Sequence, residues 1–272
     1  MCIGGRMRKA IGRFLVFMSV FIIIAIGYIV WHQHGLYKEG TDVYNEIRNK
    51  ATDFPDRNLS SRKEQSVPFR VDWEALANTD TVAWIRFDNP EIINYPVMQG
   101  KDNVQYLNHL YNGEYSINGS IFINCHNDKY FKDDNTIIYG HSMLNGDMFG
   151  SLKKYHDDSF GRENPYFYIY LPDGTTHKYQ IFAVVDAGDG SDDYRYSFSD
   201  ISAFKTFQKT MKSKSLYDTG LTTNFSKRLV SLSTCASSGA DTGKRIMVIG
   251  MEISRVKTQD AASWYKAPKS IK

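Results

Sequence analysis

The chain has 272 residues, enough for one domain of roughly 150–250 residues plus appendages, and carries a formal charge of +3. Arg6, Arg8, Lys9 and Arg13 all precede the first acid, Glu39, and without those four cations 29 basic residues face 30 acidic ones. The remainder is close to neutral, which excludes the basic footprint of a nucleic-acid-binding domain.

Phe14 to Trp31 runs for 18 residues without a charge. As a helix it covers ~27 Å against the ~30 Å of a bilayer's hydrocarbon, so it predicts a membrane span. The four cations lie upstream with no comparable cluster just downstream, which predicts a cytoplasmic N-terminus and a domain outside the cell membrane. A cleaved signal peptide is the alternative. Its apolar stretch is normally shorter, and no small-x-small site lies between Gly27 and Leu36, which favours an uncleaved anchor. Cys2 precedes the apolar run and is not placed like a lipidated cysteine.

From Gly35 to about Val67 the chain is polar and charged. Tyr37, Val43, Tyr44 and Ile47 recur at near-helical spacing, which predicts a helical stalk or packing helix, followed by a linker through Pro55 and Ser60-Ser61. The organisation expected is a basic tail and anchor over 1–31, a stalk and linker over 32–68, and a folded domain over 69–272. Asp72 reads as the cap of a short helix to Ala77, with Trp73 and Leu76 on its buried side.

Short strands follow, at Val82–Phe87, Ile92–Val97, Ser120–Asn124, Thr136–Tyr139, Tyr166–Leu171 and His177–Ala187. Pro172-Asp173-Gly174-Thr175 is a hairpin turn between the last two. Arg228–Cys235 and Arg245–Gly250 add two more. Eight short strands with few helical patterns predict a mainly β fold, a closed or nearly closed barrel. One long helix is expected between Ser199 and Leu216, in the connection before the Cys235 strand. There Ile201, Phe204, Phe207 and Met211 form the apolar stripe, and Ser199 stands at the N-cap.

Three polar residues stand at strand ends. A thiol is a nucleophile only as thiolate and, with an ordinary pKa of ~8.5, needs a base or cation beside it. Cys235 ends one strand, Arg245 on the neighbouring strand supplies a cation, and His141, after Ile138-Tyr139-Gly140, supplies a base. The residue types alone also fit a buried structural cysteine and a solvated arginine. Cys125 is the other thiol of the exported part. A disulfide to Cys235 would disable that nucleophile, and Cys125 reads instead as packing at the end of the Ser120–Asn124 strand. The remaining histidines form no metal-ligand spacing, and Asp133-Asp134 and Asp192-Asp193 read as solvated turn residues, so neither metal nor cofactor is expected.

Leu232-Ser233-Thr234-Cys235 with Arg245 ten residues on, and Ile138-Tyr139-Gly140-His141 with Met148-Phe149-Gly150-Ser151-Leu152 behind it, resemble the sortases, specifically class B. The resemblance runs from about Trp84 to Ile253 and takes in Ile93 to Gly100, Asp102-Asn103, Tyr106-Leu107 and Gly119-Ser120-Ile121-Phe122. It implies a sortase-type eight-stranded barrel with N-terminal helices, and a long helix walling the substrate groove. It further implies a transpeptidase with Cys235 as nucleophile, His141 as acid and base and Arg245 as oxyanion donor, Ser233 and Thr234 lining the groove. The substrate it implies is a secreted protein with a C-terminal Asn-Pro-x-Thr-type sorting signal, and the acceptor a cell-wall peptidoglycan amine. A pilin-polymerising sortase with a lysine acceptor and a non-catalytic tethered binding module are the alternatives; the motif of an L,D-transpeptidase is absent. Ala236-Ser237-Ser238 depart from the acidic or bulky residue that follows the nucleophile in many class B relatives.

Overall fold

The computed structural model describes residues 3–53, 69–91, 93–188, 190–235 and 244–258. The anticipated Pro55 to Ser61 linker, Ile92 and Ala236-Ser237-Ser238 lie outside them.

Helix α1, Ile3–Ala51, joins the expected span and stalk into one element. No proline interrupts it, and its glycines at 12, 27 and 35 meet nothing within 4 Å. Phe14 to Trp31 is exposed throughout its large apolar side chains, whereas Tyr44, Ile47 and Ala51 enter the main core of the folded domain. The second half of α1 is therefore a packing helix. Strands β1 (Thr52–Asp53) and β2 (Arg70–Val71) pair as a small antiparallel ribbon beneath it.

All eight anticipated strands form, as β3 (Thr81–Phe87), β4 (Asn94–Met98), β5 (Ile121–Ile123), β6 (Asn135–His141), β7 (Tyr166–Tyr170), β8 (Thr175–Gly188), β9 (Leu229–Cys235) and β10 (Lys244–Lys257). They close into a barrel in the order β10-β8-β7-β3-β4-β5-β6-β9. The β7–β8 hairpin turns at Gly174, whose φ of 78° suits a residue without Cβ, and the Asp173 side chain accepts from the Thr175 N–H and hydroxyl. Helix α2 (Asp158–Glu163) sits in the β6–β7 connection and α3 (Ile201–Lys214) in the β8–β9 connection.

Alternation sorts the strands into two cores. Val230, Leu232, Ile138, Val248 and Val184 point into the barrel. Leu229, Met247, Ile249 and Val185 point outward and are covered by Phe204, Phe207 and Met211 of α3. Burial of each such side chain contributes about 1.5–3 kcal/mol. Ile201 stays exposed, and the cap of α3 is Asp200, one residue later than expected: its carboxylate accepts from the Ala203 N–H, while Ser199 donates to that carboxylate. A carboxylate at this position also faces the positive helix end. The expected helix after Asp72 is a single 3-10 turn, Glu74–Leu76, whose N-cap position is Trp73, one residue later than expected, while the Asp72 carboxylate accepts from the Glu74 and Ala75 N–H groups.

His177 on β8 is buried, and that burial, with Arg255 nearby, pushes its imidazole down to about 4. The unfolded chain takes up the proton near pH ~6.5, so below that pH the unfolded state binds more protons than the fold. Stability is expected to fall as the pH drops from about 6.5 to about 4, with this residue contributing up to ~1.4 kcal/mol per pH unit. His177→Gln should flatten that decline in denaturant titrations run across the window.

Candidate active site

β6 and β9 run parallel, and their register sets His141 level with Cys235. Hydrogen-bonded neighbours lie about 4.8 Å apart across a sheet. β9 also pairs antiparallel with β10, from Met251 with Leu229 as far as Met247 with Ser233, each strand two residues short of Arg245 and Cys235. On its other side Arg245 pairs with Ala187 of β8. The three expected site residues thus lie on adjacent strands, β6, β9 and β10, with His141 and Cys235 paired at the end of β6 and β9. Met247 belongs to the outer core under α3, so Tyr139 and His141, position 233 with position 235, and Arg245 with Met247 share the outer face by alternation.

Gly140 gives His141 its setting. A Cβ there would lie 2.4 Å from the Ile121 side chain and 2.9 Å from the Phe149 ring. Phe149 returns to donate its N–H to the His141 carbonyl, 2.9 Å, and Ser142 pairs with Met148, so the chain turns back tightly just after the histidine. His141 is half-buried, and its Nε2 lies 2.5 Å from the Leu107 carbonyl. A carbonyl only accepts, so Nε2 carries the hydrogen, and the lone pair of the neutral ring is on Nδ1. Burial lowers the His141 pKa below its ordinary value, with the Leu107 contact opposing. At neutral pH the ring is a neutral base.

Ser233 is buried against Tyr194, whose hydroxyl is 2.9 Å from its Oγ. Tyr194 stacks on Tyr139, ring centres 6.3 Å apart, and Tyr139 in turn accepts from Asn124. Ser233, Tyr194 and Tyr139 thus form one linked set beside the ends of β6 and β9. Thr234 lies on the other phase of β9. It shares the inward phase of Val230 and Leu232 and is buried, as Ser233 is. Tyr139 was legible as the outward residue two before His141. Tyr194 carried no signal, because its contact spans the β8–β9 connection.

Cys125 is a free, half-buried thiol. The neighbouring Asn124 N–H bonds to Ile137, four residues before His141, which sets this thiol roughly 13 Å down the strand from the histidine. It lines an open cavity of about 680 Å³ with Asp80, Gln99, Lys101 and Lys129, none of them at the rim.

Residues 88–253 match the family model for the sortase domain. Over 161 residues the chain is 37% identical to sortase B of Listeria monocytogenes, a match covering 58% of this chain and 63% of that protein, a little under two thirds of its length. The fold is similar to that of the Staphylococcus aureus sortase B–substrate complex, with a TM-score of 0.62 and 31% identity over 66% of this chain and 84% of that one. It is also similar to sortase B of B. anthracis in complex with AAEK1, with a TM-score of 0.67 and 30% identity over 80% and 98% of the two chains.

Filling the space at Gly140 is expected to damage this corner. Gly140→Ala should cost ~1–3 kcal/mol in denaturant unfolding, as overpacking does, and should shift the ring resonances of His141 in NMR spectra, since Phe149 has to move.

Proposed function

The chain belongs to the sortase family, within its class B group, and from that premise we propose that it is a membrane-anchored cysteine transpeptidase that attaches secreted proteins to the cell wall. The substrate is a protein with a C-terminal Asn-Pro-x-Thr-type sorting signal, cut after its Thr, and the acceptor is an amine of peptidoglycan or its precursor. The observation that carries this reading is the strand register that sets His141 level with Cys235, with Arg245 on the next strand. The likeness to S. aureus sortase B in complex with its substrate supports a sorting-signal substrate here.

In the proposed reaction Cys235 gives its thiol proton to Nδ1 of His141, the resulting thiolate attacks the Thr carbonyl carbon, and Arg245 donates to the oxygen as it gains negative charge. Collapse of the tetrahedral species breaks the peptide bond, and protonated His141 gives its proton to the departing amine. The thioacyl enzyme is then attacked by the acceptor amine, whose proton returns to His141 as Cys235 leaves. Ser233, with Tyr139 and Tyr194, lines the groove for the acyl portion of the signal.

The unbroken apolar stretch of α1 is long and apolar enough to cross a membrane. With Arg6, Arg8, Lys9 and Arg13 before it, the reading is a single pass with the N-terminus in the cytoplasm and the barrel outside. Residues 1–31 form the tail and anchor, 32–68 the stalk and linker, and 69–272 the catalytic domain.

Incubation with a panel of sorting-signal peptides, followed by mass spectrometry, is expected to yield an acyl adduct on Cys235. Cys235→Ala should give neither adduct nor cleavage while remaining folded; turnover by that variant would remove Cys235 from the role of nucleophile.

Arg245 separates two kinds of help. A point charge that merely favours the thiolate is replaceable by lysine, whereas a guanidinium fork on the carbonyl oxygen is not. Arg245→Lys is expected to slow acylation by about 10²-fold, the scale of a lost oxyanion donor. The pH dependence of Cys235 alkylation should move far less than that.

A further inference from the structure

Two segments flank His141, and both are tied to one face of α1. The first is the segment that ends in the Leu107 carbonyl, the acceptor for Nε2 of His141. Gly119 lies against it so closely that a Cβ would come 2.3 Å from the Leu107 oxygen. The buried Tyr44 hydroxyl of α1 donates to the Gly119 carbonyl at 2.7 Å and contacts Ser120 Oγ at 2.8 Å. Ser120 in turn binds both sides of the same segment, its hydroxyl donating to His109 and its N–H to Tyr106.

The second segment is the tight return after His141. Asp147 lies in it, buried, and its carboxylate accepts from Asn145 and from the Thr41 hydroxyl of α1, the latter at 2.5 Å. Met148 follows with φ of 54°, and its N–H donates to the Tyr95 hydroxyl. The Tyr95 ring meets the Tyr44 ring edge-on at 5.2 Å. Thr41 and Tyr44 are three residues apart on one helical face. Gly40, on the same side, allows the close approach: a Cβ there would lie 2.6 Å from the Asn118 side chain.

We propose that Thr41 and Tyr44 are positioning residues for His141: through Asp147 and Gly119 they fix the return after the histidine and the carbonyl that orients its ring. The inference rests on the reading of His141 as acid and base. In it, the helix that carries the apolar stretch is also part of the scaffold of the catalytic rim. A misplacement of about 1 Å is enough to cost up to ~10² in rate, so two hydroxyls remote from the reacting atoms suffice for a kinetic effect.

The test uses the full chain in detergent, with a sorting-signal peptide and a defined amine acceptor. Thr41→Val and Tyr44→Phe remove the two hydroxyls at nearly constant volume, Thr41→Ser restores one of them, and Asp42→Ala, exposed on the same helix, is the control. Each of the first two is expected to lower kcat about tenfold with KM unchanged, the loss exceeding any drop in folded fraction measured by circular dichroism, and Thr41→Ser is expected to recover most of the Thr41→Val loss. Wild-type kcat in both hydroxyl-deleted variants, a rise in KM alone, or a loss matched by unfolding would overturn the proposal. His141→Ala is run beside them. If that variant turns over normally, the acid–base reading itself is what fails; if it is inactive while Thr41→Val and Tyr44→Phe are normal, only the positioning role fails.

Discussion

Parallel pairing between β6 and β9 is the constraint on which the rim depends. Two neighbouring strands that run the same way end at the same edge of the sheet, so their last residues, His141 and Cys235, fall side by side. An antiparallel partner for β6 would have carried its own C-terminal residue to the opposite end. Parallel pairing requires a long crossover, and here that crossover holds β7, β8 and α3. The same excursion lays α3 over the outer face of β8, β9 and β10 and brings Tyr194 against Ser233. One topological choice thus produces both the juxtaposition of His141 with Cys235 and the contact of Tyr194 with Ser233.

The electrostatics of the rim follow from its packing. Half-burial keeps the His141 ring uncharged, and the Leu107 carbonyl fixes which nitrogen holds the hydrogen. Neither effect comes from a carboxylate behind the ring: the orienting group is a backbone dipole, which stays an acceptor at every pH. The ring's orientation is therefore independent of the ionisation of a second side chain. This differs in kind from triads in which a buried acid holds the histidine.

Much of the fold is legible in the sequence because β-branched and aromatic residues mark the strands and the breaks between them carry Gly, Asp and Pro. Pairing is not. Nothing in Asn135 to His141 or in Leu229 to Cys235 says that these two segments, far apart in the chain, lie parallel and in that register. The cap of α3 falls one residue beyond Ser199 because Ser199 and Asp200 are both good caps, and the choice between them rests on backbone geometry. Period-two alternation sets Thr234 in the phase of Val230 and Leu232 and Ser233 in that of Leu229. The stalk reads as an appendage because its polar composition hides Thr41 and Tyr44, whose partners sit in loops with no periodic signal.

Because α1 is one uninterrupted helix from the apolar stretch to Ala51, the distance between them is also an angle. Each residue added or removed between Trp31 and Tyr37 turns everything beyond it by about 100° around the helix axis while moving it only about 1.5 Å along that axis. With the first part of the helix held in a bilayer, a single-residue insertion would swing the rim from one azimuth to another around the stalk. An insertion of seven residues would bring it back nearly to its original heading, roughly 10 Å further out. The junction is therefore a rotational coupling: the heading of the barrel about the axis of α1, relative to the apolar stretch, is set by how many residues separate Trp31 from Tyr37.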